Sequence, residues 1–154
     1  RNVKNDLKEN AEIYFEVMRR LDKSGTIAHI SEDSGQLDFL LALDGPDRKI
    51  FSLIEDDETR TILQNSYITQ KYGKLHFTDA VSEILPSTVE TVIISSEEMA
   101  QEVISQMPNP SIKTIILLKK CVSSQTENIS TLGYQNVYGT ANISIFKPSG
   151  NTTK

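Results

Sequence analysis

Apolar residues along the chain gather in short runs that alternate with longer stretches of helical spacing. The short runs are rich in Ile, Leu, Val and Phe, which is typical of buried strands. Because strands and helices alternate, the pattern predicts β-α units around a mostly parallel sheet. The predicted strands are Thr26–Ile30, Lys49–Ile54, Leu75–Phe77, Thr91–Ser95 and Thr114–Leu118, of which the last is the most uniformly apolar and is predicted to be central.

Helices are predicted where apolar residues recur every three or four positions and where capping or breaking residues bound them. The first has Ile13, Tyr14, Val17, Met18 and Leu21 at helical spacing and ends before Gly25, and the second carries Leu37, Leu40, Leu41 and Leu43 and stops at Gly45, in a left-handed cap, and Pro46. The third helix has Asp56 or Asp57 as its cap, Ile62, Leu63 and Tyr67 on its inner face, and Gly73 beyond its end. A short fourth helix covers Ala80–Leu85 before Pro86. The fifth runs through Ala100, Val103, Ile104 and Met107 and ends at Pro108 and Pro110, and a weaker sixth covers Ser123–Leu132.

The pattern changes near the end of the chain, where two strands follow each other with no helix between them. Gln135–Tyr138 and Asn142–Phe146 are separated by only a few residues around Gly139, too few for a parallel crossover, so they predict an antiparallel hairpin. The predicted fold class is α/β: a three-layer sandwich with a mostly parallel sheet of about seven strands that ends in this hairpin. The predicted division is 1–24, an N-terminal helix packing on the domain; 25–148, the α/β domain; and 149–154, a flexible tail.

Length, charge and residue usage narrow the function classes. A chain of 154 residues fits one domain, and 16 Lys and Arg against 21 Asp and Glu give a net charge of -5, which argues against nucleic acid as a partner. One cysteine, Cys121, excludes an intrachain disulfide, and with two histidines it argues against a zinc site. No apolar run is long enough to span a membrane and no signal peptide is visible. We expect a cytoplasmic domain from a longer polypeptide, because the chain begins with Arg1 instead of Met.

The glycines are few and isolated. There are 7, and no two are separated by a single residue. This spacing excludes the usual forms of the G-x-G-x-x-G dinucleotide loop and of the phosphate-binding P-loop.

Four segments nevertheless resemble class I S-adenosylmethionine-dependent methyltransferases. The segment GTIAHISEDSGQLDFLLAL at 25–43 resembles their first motif, and PDRKIFSLIEDDE at 46–58 resembles the second. HFTDA at 76–80 resembles the third motif, and TVIISS at 91–96 the motif of the fourth strand. The resemblance covers nearly the whole chain, including the closing hairpin, and implies a Rossmann-like methyltransferase fold.

The resemblance also implies where the cofactor residues would lie. The three glycines of the first motif fall on Ser31, Asp33 and Gly35, and the acid that precedes them falls on His29. The acid that binds the ribose hydroxyls falls on Ile54, with Glu55 displaced by one position, while the acid that meets the adenine amino group is retained as Asp79. The implied cofactor positions are therefore Ser31, Asp33, Gly35, Glu55 and Asp79, in degenerate form, and no catalytic residue is assigned.

These departures predict that the fold persists while ordinary cofactor binding is lost. Asp33 introduces a carboxylate where the amino-acid part of the cofactor would approach the backbone, and Ile54 offers the ribose no hydrogen bond. The leading hypothesis is a non-catalytic methyltransferase-like domain that serves as an interaction or regulatory module. A second, looser resemblance, in Gly25-Thr-Ile and Pro46-Asp-Arg-Lys-Ile, is to methyltransferase domains at the ends of large bacterial fusion polypeptides, which implies other domains of such a polypeptide as partners.

Two alternatives stay open. The first is a divergent active methyltransferase that binds S-adenosylmethionine through Gly35, Glu55 and Asp79 and acts on an unknown small-molecule or lipid substrate. The second is a receiver-like switch domain, with Ser95 and Lys119 at the ends of neighbouring strands, Asp79 as the phosphorylated residue and an acidic pair at positions 32 and 33. A strand order with the closing hairpin inside the sheet would contradict the receiver alternative.

Four further features receive structural interpretations. His29 and His76 lie in predicted strands and are expected to be packed and hydrogen-bonded, although an imidazole could act as a general base. Cys121 is expected to be structural. The acidic run Glu55–Glu58 is expected to cap and charge a helix N-terminus, with a divalent cation site as the alternative.

Overall fold

A seven-stranded sheet forms the centre of the molecule. The computed structural model describes residues 3–31, 35–85, 88–107 and 111–150. The strands are β1 Ser24–Ile30, β2 Asp47–Leu53, β3 Leu75–Thr78, β4 Thr91–Ile94, β5 Thr114–Leu118, β6 Tyr134–Gly139 and β7 Ile143–Pro148. The helices are α1 Val3–Arg19, α2 Gln36–Asp44, α3 Asp57–Gln64, α4 Tyr67–Tyr72, α5 Val81–Ile84, α6 Glu97–Ser105 and α7 Cys121–Thr131.

The strand order is β3-β2-β1-β4-β5-β7-β6. Strands β1 to β5 pair in parallel, and β7 is antiparallel to both β5 and β6. The predicted α/β fold class and its closing hairpin are therefore confirmed. Because β7 and β6 are part of the sheet, the receiver-like alternative is wrong.

Helices cover both faces of the sheet. On one face, α5, α6 and α7 pack on side chains such as Ile30, Ile94 and Leu117. On the other, α1, α2 and α3 pack on Ile50 and on neighbours in β1, β4, β5 and β7. Successive strand residues point to opposite faces, so strands buried on both sides read as continuous apolar runs.

A buried arginine of β2 joins the segment that follows α1 to α2 on the second face. The Arg48 side chain is 0% exposed and donates to the backbone oxygens of Asp22 and Leu41, both at 2.9 Å. Its guanidinium also meets Asp44 Oδ2 at 3.0 Å. Lys23 and Arg48 hold the pKa of the Asp44 carboxyl below its usual value. A buried arginine is tolerated here because carbonyls and a carboxylate satisfy its donors.

Several local predictions differ from the structure. Gly25 lies inside β1 instead of ending a helix, and Gly45 has φ −138°, so it is not a left-handed cap. The predicted third helix is two helices, since Ser66 begins α4 by accepting from the amide of Thr69. The fifth strand is fully buried but stands beside β4, the middle strand.

Two residues assigned to an inner helix face are exposed. Ile62 is 63% exposed and Tyr67 is 76% exposed, whereas Leu63 is buried as predicted. The break between α3 and α4 rotates Tyr67 out of the apolar face that a continuous helix would give it. Pro86, Pro108 and Pro110, predicted to end helices, lie outside the described residues, as do 151–154 of the predicted tail.

In the part of the chain that the structure describes, no helix has both the length and the apolar character needed to cross a membrane.

Candidate functional site

The carboxyl ends of β1 and β4 meet where the strand order reverses. In open α/β sheets, ligands bind outside the carboxyl ends of the strands at this switch point. The amides of Ser95 and Ser96 both donate to Ile30 O, at 2.9 and 3.2 Å, and the Ser31 amide donates to Leu53 O at 3.3 Å. These bonds hold the ends of β1, β2 and β4 together as the floor of the candidate site.

Beneath that floor lies a buried polar cluster of His29, Asp38, Ser52 and Ser95. His29 Nδ1 lies 2.9 Å from Asp38 Oδ1, and His29 Nε2 lies 2.7 Å from Ser95 Oγ. The Ser52 hydroxyl donates to Asp38 Oδ2 at 2.9 Å. His29, Asp38 and Ser52 are 0% exposed and Ser95 is 2% exposed. The interpretation of His29 as a packed, hydrogen-bonded histidine is confirmed.

Its hydrogen bonds connect serine, histidine and aspartate in that order, as in a catalytic triad. In this structure the cluster links three strand ends to helix α2. A hydrogen on His29 Nδ1 would face the carboxylate, leaving Nε2 to accept from Ser95, which would satisfy every polar group. One member comes from each of β1, β2 and α2, and Ser95 is the residue that follows β4. Sequence reasoning missed Asp38 and Ser52, although an aspartate within the apolar run LDFLLAL is a visible signal of a buried partner.

Gly35 is the one glycine retained from the first-motif pattern, and its surroundings explain why. It starts α2 with φ +86°, a left-handed conformation that favours glycine. A Cβ at this position would lie 3.0 and 3.1 Å from the two terminal methyls of Leu63, a buried residue of α3. Both constraints come from the protein's own backbone and packing. Ser31 is partly buried after β1, and Asp33 lies outside the described residues.

At the end of β2, Ile54 and Glu55 have different environments. The strand ends at Leu53, one residue earlier than predicted. Ile54 is 3% exposed within the apolar cluster, and its amide donates to Thr78 O at 2.9 Å. Glu55 is exposed and follows outside the strand. The position to which the resemblance assigns the ribose-binding acid is therefore a core residue, and the next carboxylate along the chain is that of Glu55.

The acidic run after Ile54 begins α3. Asp56 Oδ2 accepts from the Thr59 amide at 2.8 Å and from the Thr59 hydroxyl at 2.8 Å. These bonds, led by the backbone amide, lower the pKa of the Asp56 carboxyl. The helix-capping interpretation of this run is confirmed. Within residues 3–31, 35–85, 88–107 and 111–150, no three His, Cys, Asp or Glu side chains group as metal ligands.

Arg60 of α3 links the ends of β2 and β3. Its Nη1 donates to Ile54 O at 2.9 Å and to Glu55 O at 3.3 Å. Its Nη2 donates to Asp57 Oδ1 at 2.6 Å and lies 3.6 Å from Asp79 Oδ2. The hydrogen bond with Asp57 is the main reason that the pKa of Arg60 is raised. Sequence reasoning missed Arg60, whose signal is its position three residues after Asp57.

The other residues singled out in the sequence are separate from this group. Lys119 follows β5 with φ 57°, and its Nζ donates to Tyr14 Oη at 3.3 Å. Cys121 is buried at the start of α7, in line with a structural role. His76 was expected to be packed and is instead exposed, with its ring stacked on Phe51 at 5.2 Å. Residual desolvation, then the charge of Lys49, lowers the pKa of His76.

Of the five predicted cofactor positions, the structure therefore describes four. Ser31 and Gly35 flank the loop between β1 and α2, Glu55 follows β2, and Asp79 follows β3. All four belong to the connections that leave the carboxyl edge of the sheet. Among them, only Asp79 has a described ion-pair partner, Arg60, and Asp79 itself is 60% exposed.

Solved structures with the same fold include several methyltransferases. Precorrin-6y C5,15-methyltransferase from Geobacter metallireducens GS-15 is 16% identical with TM-score 0.66, over 88% of this chain and 86% of that chain. Ribosomal protein L11 methylase from Lactobacillus delbrueckii subsp. bulgaricus is 12% identical with TM-score 0.67, over 91% and 79% of the two chains. M. capricolum TrmK, solved with S-adenosyl-homocysteine, is 13% identical with TM-score 0.57, over 87% and 66%.

No protein-family model and no curated protein sequence matches the chain. The structural likeness is therefore one of fold, since all three identities are low. The strand order with its closing hairpin and the similarity to these enzymes indicate the same fold. The protein has the fold of class I S-adenosylmethionine-dependent methyltransferases, as its sequence motifs predicted.

Proposed function

We propose that this chain is a non-catalytic methyltransferase-like domain that has lost its S-adenosylmethionine site and serves as an interaction or regulatory module. The observation that carries the proposal is the environment of Gly35. Its positive φ and its contact with Leu63 account for this glycine without any ligand. The two motif positions where glycine would let a cofactor approach the backbone carry Ser31 and Asp33 instead.

The ribose and adenine positions support the same proposal. Ile54 is a core residue and has no side-chain acceptor, while Asp79 faces Arg60. A hydrogen bond to a charged group contributes about 1.5–3 kcal/mol. Loss of a carboxylate that would hold two hydroxyls therefore weakens cofactor binding by roughly 10²–10⁴-fold.

Calorimetric titration with S-adenosylmethionine and with S-adenosyl-homocysteine tests this proposal. We expect no saturable binding at ligand concentrations up to about 1 mM, a free energy of binding weaker than about −4 kcal/mol. M. capricolum TrmK, whose structure contains S-adenosyl-homocysteine, is a suitable positive control. A micromolar dissociation constant for either ligand would contradict the proposal.

A divergent active methyltransferase is the second candidate, and the early end of β2 favours it. Because the strand stops at Leu53, the exposed Glu55 is released from strand alternation and its carboxylate could reach a ribose. S-adenosylmethionine would then be the cofactor, held by Gly35, Glu55 and Asp79. Methyl transfer depends mainly on proximity and alignment, so few side chains need take part in the chemistry. Under this candidate wild type binds the cofactor and Glu55→Gln weakens that binding by about tenfold or more, whereas under the first candidate neither protein binds it.

The setting of the domain is also a proposal. We place the α/β domain at 25–148, with an N-terminal helical segment at 1–24 and a tail at 149–154, within a larger cytoplasmic polypeptide. The packing of Tyr14 and Val17 of α1 into the core supports treating that helix as part of the same folded unit. Its partners would then be other domains of that polypeptide, and the negative net charge argues against nucleic acid.

A further inference from the structure

We propose that Arg60 occupies the ends of β2 and β3, where the methyltransferase resemblance places the ribose and adenine of the cofactor, so that a nucleoside would have to displace it. The group formed by Arg60, the carbonyls of Ile54 and Glu55, and the carboxylates of Asp57 and Asp79 is called the Arg60 clasp. This inference rests on the proposed function, because it explains how the ligand site is held shut. Beyond that function, it identifies the residue, Arg60, and its contact with Asp79, which a substitution can remove.

The geometry of the clasp is that of a bridge between two strand ends. Nη1 binds the two carbonyls that follow β2, and Nη2 reaches toward Asp79, which follows β3. The Arg60 side chain is only 15% exposed, so most of its surface lies against the protein. A sheltered guanidinium makes stronger electrostatic contacts than one in open solvent. Asp57, 87% exposed, completes its hydrogen bonds from the solvent side.

The chemistry of the clasp competes with that of a nucleoside. An adenosine presents hydroxyl and amino groups as hydrogen-bond donors, and it needs acceptors at the ends of the strands where it lies. Here the acceptors beyond β2 and β3 already face the donors of Arg60. A guanidinium has five N–H donors and no acceptor, so it cannot accept hydrogen bonds from the hydroxyl and amino groups of the ligand. An adenosine-type ligand must therefore exchange with Arg60.

The competing interpretation is that the clasp only stabilises the loops after β2 and β3. Ligand affinity distinguishes the two interpretations, because only a clasp that excludes the ligand lowers the affinity. We would titrate S-adenosyl-homocysteine and adenosine into wild-type protein, Arg60→Gln and Arg60→Ala. Arg19→Gln is the matched control, because Arg19 is 73% exposed and its ion pair with Glu16 lies on α1. Removing Arg60 is expected to tighten S-adenosyl-homocysteine binding by about tenfold or more, the scale of one charged hydrogen bond. Arg19→Gln is expected to bind like wild type.

A double variant tests whether the gain passes through Asp79. Arg60→Gln combined with Asp79→Asn is expected to lose most of the gain, because the freed carboxylate is the acceptor that the ligand uses. Retention of the full gain in the double variant would contradict this assignment of Asp79. Folded Arg60→Gln protein that binds no tighter than wild type overturns the clasp.

Two further measurements keep the result interpretable. If Arg60→Gln and Arg60→Ala do not fold, Arg60→Met keeps a long unbranched side chain but has no N–H donor, and no gain in that folded variant also overturns the proposal. The wild-type titration separately tests the proposed function: micromolar binding contradicts a lost site. If wild type shows no saturable binding, the affinity of Arg60→Gln is compared with the weakest binding that the titration detects, and saturable binding by the variant alone supports the clasp.

Discussion

Asp38 shows how a single polar residue organises the interior. It lies on α2 among apolar neighbours, is 0% exposed and receives the Ser52 hydroxyl while facing His29. Its two oxygens thereby connect β1 and β2 to the helix, and His29 extends the connection to Ser95, which follows β4. Buried polar groups are tolerated when all are paired, and the loss of one partner leaves the others unsatisfied.

Asp38→Ala is therefore expected to destabilise the fold strongly. The change leaves His29 Nδ1 and Ser52 Oγ buried without this acceptor, and we expect a loss of about 3 kcal/mol in the free energy of unfolding. Urea denaturation measures it. Asp47→Ala is the control, because Asp47 is 85% exposed with a distant ion pair, and it should change stability by less than about 0.5 kcal/mol. Equal effects of the two substitutions would contradict the role given to Asp38.

His76, an exposed residue, makes the free energy of unfolding depend on pH. Desolvation and Lys49 lower the pKa of its imidazole in the folded chain below the unfolded value of 6.5. The unfolded chain then binds the proton more readily, so the free energy of unfolding falls as pH drops below about 6.5 and this contribution levels off below the folded pKa.

His76→Gln is expected to remove this part of the pH dependence. The measurement is urea denaturation of both proteins between pH 7.5 and pH 5, and only the difference between them is assigned to His76. The difference should be small, because the side chain is exposed. A difference that grows as pH rises above 7 would contradict the direction of the pKa shift.

At the scale of elements, the start of α2 combines backbone conformation with packing against another helix. Gly35 and Gly73 both have positive φ, at 86° and 59°. A Cβ at Gly35 meets Leu63, whereas one at Gly73 meets nothing within 4 Å. The two glycines therefore separate the cost of a left-handed conformation from the cost of crowding.

Gly35→Ala is expected to cost more stability than Gly73→Ala. Both substitutions carry a conformational penalty of about 1 kcal/mol, and Gly35→Ala adds the displacement of Leu63, about 1 kcal/mol more. Thermal unfolding of the two variants checks the order. When Leu63 is already alanine, Gly35→Ala should cost only the conformational penalty. The stability difference between Leu63→Ala and the double variant should therefore be smaller than the difference between wild type and Gly35→Ala. Equal costs at the two glycines would show that Leu63 yields without strain.

For the whole molecule, burial is greatest in the middle of the sheet and least at its edges. Every residue of β5 is buried, as are three of the four in β4, while β6 at one edge is mostly exposed. Backbone amides in interior strands open only with larger parts of the fold, whereas edge strands open locally.

Hydrogen exchange followed by mass spectrometry should reproduce this gradient. Peptides from β4 and β5 are expected to exchange slowest, and those from β6 fastest among the strands, with β3 intermediate. An order in which β6 is protected as strongly as β5 would contradict it, and would indicate that the open edge of the sheet is covered in solution.

The parts of the fold that could be predicted from the sequence are those encoded by neighbouring residues in the chain. Apolar runs located the strands to within a few residues, because strands buried on both faces need apolar side chains throughout, and β5 was predicted with its observed bounds. The break at Ser66 was missed, since a serine cap inside a helical pattern competes weakly with the periodicity around it. The assignment of Gly35 and Asp79 to the cofactor site by motif position stays a prediction, and the contacts of Arg60 and Asp38 were not predicted at all.

The order of strands and helices along the chain, the closing hairpin and the substitution of the first-motif residues can all be read from the residues alone. These properties depend on side-chain periodicity, on loop length and on residue identity, all of which are local. The cluster around His29 and the Arg60 clasp become visible only in the folded structure. Ser95 lies 66 residues from His29 in the chain, and Arg60 lies on a different connection from Asp79. Their contacts exist because parallel strands bring their carboxyl ends to one edge of the sheet, and no periodicity along the chain encodes which side chains meet there.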